Sequence, residues 1–314
     1  GVAQALALLG GALHARGIRE VGVEAPGSPP HAALYEAAGL DVVPLPLDGD
    51  GLALGPLHHA RVRTVVTTPA HQFPTGIAYA PERRTRLLEW ARAVDGFVLE
   101  DDYDGDFRYD RDPVGALQGL DPERVAYTGS VSKSLAPGLR LGWLLLPEAL
   151  AEDVTERKRT ADLGHPALDQ AVFARFVERG DYDRHLRRCG RAYRERRDTL
   201  VASLAEHFPG TEVSGIAAGL HVIATLPERY GPQERFLERV TEAGVEVRAL
   251  TEYGHARVDD DSHLAPSSSY PRARVQSDVR PCTDVRPRLV LGYAHLTPIR
   301  IRTGVALMAQ AADG

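Results

Sequence analysis

The feature that most constrains the fold is an alternation of short apolar runs with helical segments in the first half of the chain. The runs over 20–24, 63–68 and 96–100 have the composition of strands, and a helix with Pro81 near its start is expected over 81–93. This order is typical of an α/β fold, in which helices cover both faces of a mostly parallel sheet. Ligands of such sheets bind at the carboxyl ends of the strands.

The composition changes about halfway along the 314 residues. We predict a large lobe over 1–160 and a smaller α+β lobe over 161–314. The sequence starts inside an apolar run and without Met, so we expect the large lobe to be incomplete at its N-terminus. Residues 254–287 are rich in Ser, Pro, Asp and Arg without periodicity, which predicts an irregular insertion.

Charge and cysteine content exclude several functional classes. The net charge is -6 and no block of like charge is present, so this chain alone is a poor DNA binder. The cysteines, Cys189 and Cys282, form no CxxC motif, which argues against a zinc ribbon or a disulfide scaffold, and no metal site is predicted. Apolar stretches are shorter than the ~18 residues that a membrane span needs. We expect a cytoplasmic protein.

Lysine is rare in this chain. The 37 basic residues are 35 Arg and two Lys, Lys133 and Lys158. Lys158 lies in a charged segment where a solvated helix face explains it, whereas Lys133 lies between serines without a nearby acidic residue. A primary amine can lose its proton and form a Schiff base with a carbonyl group, which a guanidinium cannot do. Lys133 is therefore the candidate catalytic residue.

An acidic strand end is the second component of the candidate site. The run over 96–100 ends in Glu100, and Asp101 and Asp102 follow it directly. One carboxylate there can pair with the pyridine nitrogen of pyridoxal phosphate and keep the ring an electron sink. We favour Asp101 for this role and expect Asp102 to face solvent or a second subunit.

A phosphate site is the third component. Gly129 and Ser130 precede the lysine, and Arg140 follows it by seven residues. The backbone amides of Val2 and Ala3 begin the first predicted helix. Amides at a helix N-terminus together with one arginine suit a dianionic phosphate.

These motifs resemble a known family. The run over 130–143 is similar to the S-x-S-K-x-x-x-P-G-L-R-x-G signature of fold-type I aminotransferases. Together with the segments over 71–76, 100–109, 117–121 and 218–221, it resembles the aminotransferase-like domain of MocR-type regulators, a subgroup of the GntR transcription factors. The resemblance implies a fold-type I transferase fold with a seven-stranded type of large lobe, pyridoxal 5'-phosphate as cofactor, and a homodimer.

The resemblance also implies roles for individual residues. It implies that Lys133 holds the cofactor as a Schiff base, that Asp101 binds the pyridine nitrogen, and that Tyr103 donates a hydrogen bond to the phenolic oxygen. It also implies that the phosphate group of the cofactor is bound by Ser130, Arg140 and the amides of Val2 and Ala3. Family members carry DNA-binding winged helices N-terminal to this region, so DNA contact is expected only through a domain absent from this sequence.

Some positions depart from the family pattern. The Asn of the N-P-T-G motif in the enzymes is Phe73 here, and the aromatic residue that stacks on the cofactor ring is replaced by Ser28, with His31 as a partial substitute. The arginine that would bind a substrate carboxylate cannot be assigned among Arg248, Arg286 and Arg288. His71 and His221 are interpreted as structural.

Three functions remain open at this point. The favoured one is an effector domain that senses pyridoxal phosphate or a small amino compound. The alternative is an active class I/II aminotransferase, and the third is a degenerate domain without cofactor. The arginines of the segment 187–197 are predicted to form a solvated helix face.

Overall fold

The computed structural model describes residues 1–109, 115–254 and 286–313. Of the predicted insertion over 254–287, residues 255–285 lie outside the described part. The described residues form two sheets, one in each half of the chain. The predicted α/β architecture is confirmed.

The larger sheet has seven strands in the order β3-β2-β1-β4-β5-β6-β7. Strands β2, β1, β4, β5 and β6 are parallel, and β3 and β7 join the two edges antiparallel. The strands are β1 (Glu20–Ala25), β2 (Asp41–Asp48), β3 (Gly51–Leu52), β4 (Thr64–Thr67), β5 (Phe97–Asp102), β6 (Val125–Ser130) and β7 (Gly142–Leu145).

Helices bury both faces of this sheet. Because successive side chains of a strand point to opposite faces, Leu99 of β5 joins one apolar core with Leu13, while its neighbour Val98 joins a second core with Leu87 and Trp90. The helices of this lobe are α1 (Val2–Ala15), α2 (Pro29–Ala37), α3 (Leu54–His59), α4 (Pro81–Ala93) and α5 (Glu148–Asp162).

The smaller lobe contains an antiparallel sheet in the order β10-β11-β9-β8. A separate apolar core, which includes Leu204, Phe236 and Met308, joins this sheet to its helices. The elements are α6 (Ala167–Glu178), α7 (Asp181–His207), β8 (Glu212–Ser214), β9 (His221–Thr225), α8 (Gln233–Glu242), β10 (Arg248–Ala249), β11 (Arg288–Gly292) and α9 (Pro298–Asp313).

Helix α7 corrects one prediction. Three of its arginines donate hydrogen bonds to backbone carbonyls of other segments: Arg194 to Tyr109, Arg196 to Ala294, and Arg197 to Ile216. The predicted solvated face is therefore wrong for Arg197, which is buried, and for Arg196, which is partly buried, whereas Arg194 is exposed. Across the described ranges, no helix is long and apolar enough to cross a bilayer.

The start of β5 generates a test of this packing. A Cβ at Gly96 would overlap the carbonyl of Arg63 in the neighbouring segment, and backbone cannot move aside as a flexible side chain can. We expect Gly96→Ala to lower the free energy of unfolding by about 1–3 kcal/mol in urea titrations. Gly49→Ala, where a Cβ meets no atom within 4 Å, is the matched control and should change it by less than about 0.5 kcal/mol. Equal stabilities of the two variants would contradict this packing.

Candidate functional site

A cavity of about 150 Å³ lies beside the ends of β1, β4 and β5. It is the position that the topology predicts for a ligand, since parallel strands end at one edge of the sheet. The lining includes Glu24, Ser28, His31, Phe73, Asp101, Tyr103 and Lys133. Three residues that the sequence analysis singled out, Lys133, Asp101 and Tyr103, are thus brought together.

Asp101 is buried without a partner. Only 2% of the surface of Asp101 is exposed, and neither of its carboxylate oxygens has a hydrogen-bond partner. Burial, and then the negative charge of Asp102, raise the pKa of Asp101 to about 7. A cationic N–H group in the cavity would satisfy this carboxylate, and a protonated pyridine nitrogen is such a group.

His31 does not supply that cation. Its Nδ1 is 3.6 Å from Oδ2 of Asp101, which is too long for a hydrogen bond. Burial, and then the positive charge of Lys133, lower the pKa of His31 to about 4. His31 is therefore neutral at pH 7, and this contact is not an ion pair.

Asp102 points to the opposite side of β5. Its Oδ2 accepts a hydrogen bond of 2.8 Å from the hydroxyl of Tyr127. Because of this alternation, Asp101 lines the cavity, whereas Asp102 is partly exposed and contacts Tyr127 on β6. That Asp102 faces solvent or a second subunit stays a prediction.

Lys133 lies in the loop after β6. Lys133 is exposed, and it also lines the same cavity as Asp101. The next residue fixes the loop, because the buried Ser134 hydroxyl shares a hydrogen bond of 2.8 Å with Tyr182 and its carbonyl lies 2.6 Å from Nε2 of His185. The lysine therefore lies on an anchored segment, and within the described part of the chain no ion pair joins its amine to a carboxylate.

Aromatic rings line the wall near Tyr103. Phe73 packs edge-on against Tyr103 and His221, with centroid distances of 5.8 and 5.3 Å. Phe73 has no polar atom on its side chain, so this wall offers no amide to a ligand oxygen. Tyr103 also lines the cavity, and its hydroxyl oxygen lies 3.0 Å from Nδ1 of His71.

Ser130, Arg140 and the start of α1 converge at a second point. Residue Gly1 donates a hydrogen bond of 2.6 Å to the carbonyl of Arg140. A Cβ at Gly142 would lie 3.2 Å from Cα of Gly1 and 3.3 Å from Cβ of Ser130. The guanidinium of Arg140 is exposed, and within the described residues no ion pair joins it to a carboxylate.

The first turn of α1 adds free donors at this point. Gln4 N–H binds the carbonyl of Gly1, whereas the N–H groups of Val2 and Ala3 precede the first hydrogen-bonded position of the helix. No acidic residue lies in this turn. A helix N-terminus beside an arginine fits an anionic group such as a phosphate.

The carboxylate-binding arginine is not found among the three candidates. None of Arg248, Arg286 and Arg288 lines the cavity. Arg286 instead pairs with Glu212 at 3.1 Å. Sequence alone could not settle this point, because all three lie in the smaller lobe and their direction depends on how its strands pair.

The sequence analysis missed Glu24. This residue of β1 is 5% exposed, lines the cavity, and accepts hydrogen bonds from Thr68, Gln72 and Tyr79. Burial raises its pKa despite these donors. A glutamate at the end of the apolar run 21–25 was the available signal, since a charged residue in a buried strand needs partners.

A parallel sheet with a lysine and a buried aspartate at its carboxyl edge and an anion site at a helix N-terminus defines the class of pyridoxal-phosphate transferases of fold-type I. Residues 1–261 match the family described as aminotransferase class I and II. The chain belongs to this family.

The relatives divide into regulators and enzymes. The chain is 31% identical over 235 residues to the pyridoxine biosynthesis regulator PdxR of Corynebacterium glutamicum, covering 74% of this chain and 50% of PdxR. It is 38% identical over 175 residues to the probable rhizopine catabolism regulatory protein MocR of Rhizobium meliloti, covering 55% and 35%. It is 32% identical over 281 residues to aromatic-amino-acid aminotransferase 1 of Thermococcus litoralis, covering 86% and 61%.

The chain spans about half the length of the regulators it matches. Among solved structures, the kynurenine aminotransferase of Pyrococcus horikoshii in complex with PMP has a TM-score of 0.80 and 26% identity, covering 100% of this chain and 73% of that one. The resemblance to MocR-type regulators and the fold-type I architecture are thereby confirmed.

The raised pKa of Asp101 predicts a pH dependence of stability in the cofactor-free protein. An acid whose pKa rises from 3.8 to about 7 on folding binds its proton more tightly when folded, so stability falls as pH rises between these values. Asp101→Asn removes this loss. The free energy of unfolding of the variant, measured in urea relative to that of the wild type, should rise by on the order of 3 kcal/mol between pH 4 and pH 8. A difference that stays constant with pH would contradict the burial of a partnerless carboxylate.

Proposed function

We propose that this chain is the effector-binding domain of a MocR-type transcriptional regulator and that it holds pyridoxal 5'-phosphate on Lys133. The observation that carries the proposal is the partnerless carboxylate of Asp101, buried in the cavity that Lys133 also lines. When bound, the cofactor supplies an electron sink for amino compounds attached to it. The rest of the site consists of residues that bind and orient it.

Each residue has a distinct part in binding. Lys133 holds the cofactor covalently as a Schiff base, and Asp101 keeps a proton on the ring nitrogen. Tyr103 donates its hydroxyl proton to the phenolic oxygen. The phosphate is bound by Ser130, Arg140 and the N–H groups of Val2 and Ala3.

Sensing is favoured over turnover by the cavity wall. Phe73 gives no amide to the cofactor oxygen, and Ser28 gives no ring for stacking. Among the residues that the structure describes, no arginine lines the cavity to bind a substrate carboxylate. The alternative is an active aminotransferase, which the similarity to the Thermococcus litoralis enzyme supports. Under the favoured function, the effector is pyridoxal phosphate itself or a small amino compound.

The whole protein is expected to act in the cytoplasm as a homodimer. Exposed apolar side chains support a second copy: Trp143 and Leu145 on β7, and Leu168 and Val172 on α6. The similarity to helix-turn-helix regulators supports DNA contact through a separate N-terminal domain.

We retain the predicted lobes over 1–160 and 161–314, whose boundary lies inside α5. For the oligomeric state, we expect sedimentation of the cofactor-loaded protein to give the mass of a dimer, and the mass of a monomer would contradict the proposed homodimer.

The two lysines provide a matched test of the cofactor site. Lys133→Ala should abolish the visible absorption of bound pyridoxal phosphate, because no other primary amine side chain lines the cavity. Lys158→Ala should retain the absorption, since its Nζ is bound to Asp162 at 2.6 Å on α5. Borohydride reduction followed by peptide mass spectrometry should place the label on Lys133. Label on Lys158, or absorption that survives in Lys133→Ala, would overturn the proposal.

A turnover assay separates the regulator from the enzyme. With an amino acid donor and a keto acid acceptor, we expect no more than about one amino group transferred per protomer in an hour, because the described part of the cavity lining holds no arginine for a substrate carboxylate. Enzymes of average efficiency turn over at about 10 per second. Sustained turnover near that rate would establish the aminotransferase alternative.

A further inference from the structure

A buried pair of ionisable residues adjoins Tyr103 and has no part in the functions assigned so far. Nδ1 of His71 is 2.8 Å from Oδ2 of Asp104 and 3.0 Å from the hydroxyl oxygen of Tyr103. The side chains of His71 and Asp104 are 3% and 1% exposed. One imidazole nitrogen therefore contacts both a carboxylate and the hydroxyl that lines the cavity.

The contacts indicate that Nδ1 of His71 carries a proton. Nε2 is buried without a partner, whereas Nδ1 faces a carboxylate oxygen that can only accept. A proton on Nδ1 satisfies Asp104, while a proton on Nε2 would leave two acceptors facing each other. Nδ1–H is thus directed toward Asp104 and Tyr103, where the Tyr103 oxygen accepts.

A glycine of the smaller lobe packs against the imidazole ring of His71. Gly219 packs so tightly that a Cβ there would overlap Nδ1 and Cε1 of His71. Its carbonyl accepts hydrogen bonds of 2.8 and 2.7 Å from the hydroxyls of Tyr109 and Tyr293. The imidazole is therefore held between two lobes and cannot rotate freely.

We propose that His71 and Asp104 are positioning residues for Tyr103. Asp104 fixes the orientation and tautomer of His71, and Nδ1–H of His71 occupies a lone pair of the Tyr103 oxygen. Nδ1–H of His71 also binds Asp104, the carboxylate that competes for the proton of Tyr103 through a hydrogen bond of its own, and this leaves the proton of Tyr103 for the cavity. This inference rests on the proposed function, in which Tyr103 donates that proton to the phenolic oxygen of the cofactor.

Other charged groups near Tyr103 bear on the test. Asp104, Asp101 and Glu24 all raise the pKa of Tyr103, after burial, so its hydroxyl remains a donor at neutral pH. On the other side of His71, the ring of His221 lies 5.4 Å away, and burial lowers the pKa of His221 to about 4. Lys133 is the cation on the cavity lining. Substitution of His71 leaves Asp101, Glu24 and Lys133 in place.

The test is a pH titration of the visible absorption of the protein loaded with pyridoxal phosphate. A hydrogen bond from Tyr103 stabilises the deprotonated, Lys133-linked cofactor, so Tyr103→Phe should raise the midpoint by about one pH unit. His71→Phe should raise it in the same direction by a smaller amount. The double variant should match Tyr103→Phe alone, because His71 acts through the hydroxyl. His71→Asn places an amide N–H near the position of Nδ1 and should restore the wild-type midpoint.

The contrary results are distinct. An unchanged midpoint in His71→Phe, or an additional shift in the double variant, would overturn this inference and leave the proposed function intact. Wild-type protein that binds no pyridoxal phosphate would overturn both. Should His71→Phe not fold, His71→Leu takes its place, and failure of His71→Asn to differ from it would also count against the positioning role.

Discussion

The account depends on one interaction, between the buried carboxylate of Asp101, which has no hydrogen-bond partner in the protein, and a cationic N–H group bound in the cavity. Burial without a hydrogen bond is costly for a carboxylate, and this cost raises the pKa of Asp101 to about 7. The neighbouring His31 is neutral and too distant to help. A ring nitrogen that gains a proton from this environment removes the cost, so binding and activation of the cofactor have the same physical origin.

The fold also provides a place for the phosphate group, at the end of the cofactor opposite the ring nitrogen. Helix α1 begins beside Arg140 and Ser130, where its dipole and free N–H groups favour an anion. The strand β5 presents Asp101 to the cavity and leaves Asp102 to Tyr127 on the other face. An acid at one end and an anion site at the other bind a molecule that carries a cationic ring and a phosphate. The loop of Lys133, anchored through Ser134, lies between them in the sequence.

The sequence predicted those parts of the fold and site that follow from local pattern. The parallel sheet, the helix over 81–93 and the union of Lys133 with Asp101 and Tyr103 follow from strand alternation and motif spacing. Contacts between distant segments were not predictable. The pairing of His71 with Asp104, the donors that surround Glu24 and the carbonyl contacts of Arg194 join residues whose proximity depends on how the two lobes pack. The lobe boundary near residue 160 stays a prediction.

The most direct test measures the protonation of the ring nitrogen. Pyridoxal phosphate labelled with 15N in the ring and bound to the purified protein should give the chemical shift of a protonated pyridine at neutral pH. In Asp101→Ala it should give the shift of the unprotonated ring, because no other acid on the cavity lining occupies the position of Asp101. An unprotonated nitrogen in the wild type, or the same protonated shift in both proteins, would contradict the role of Asp101.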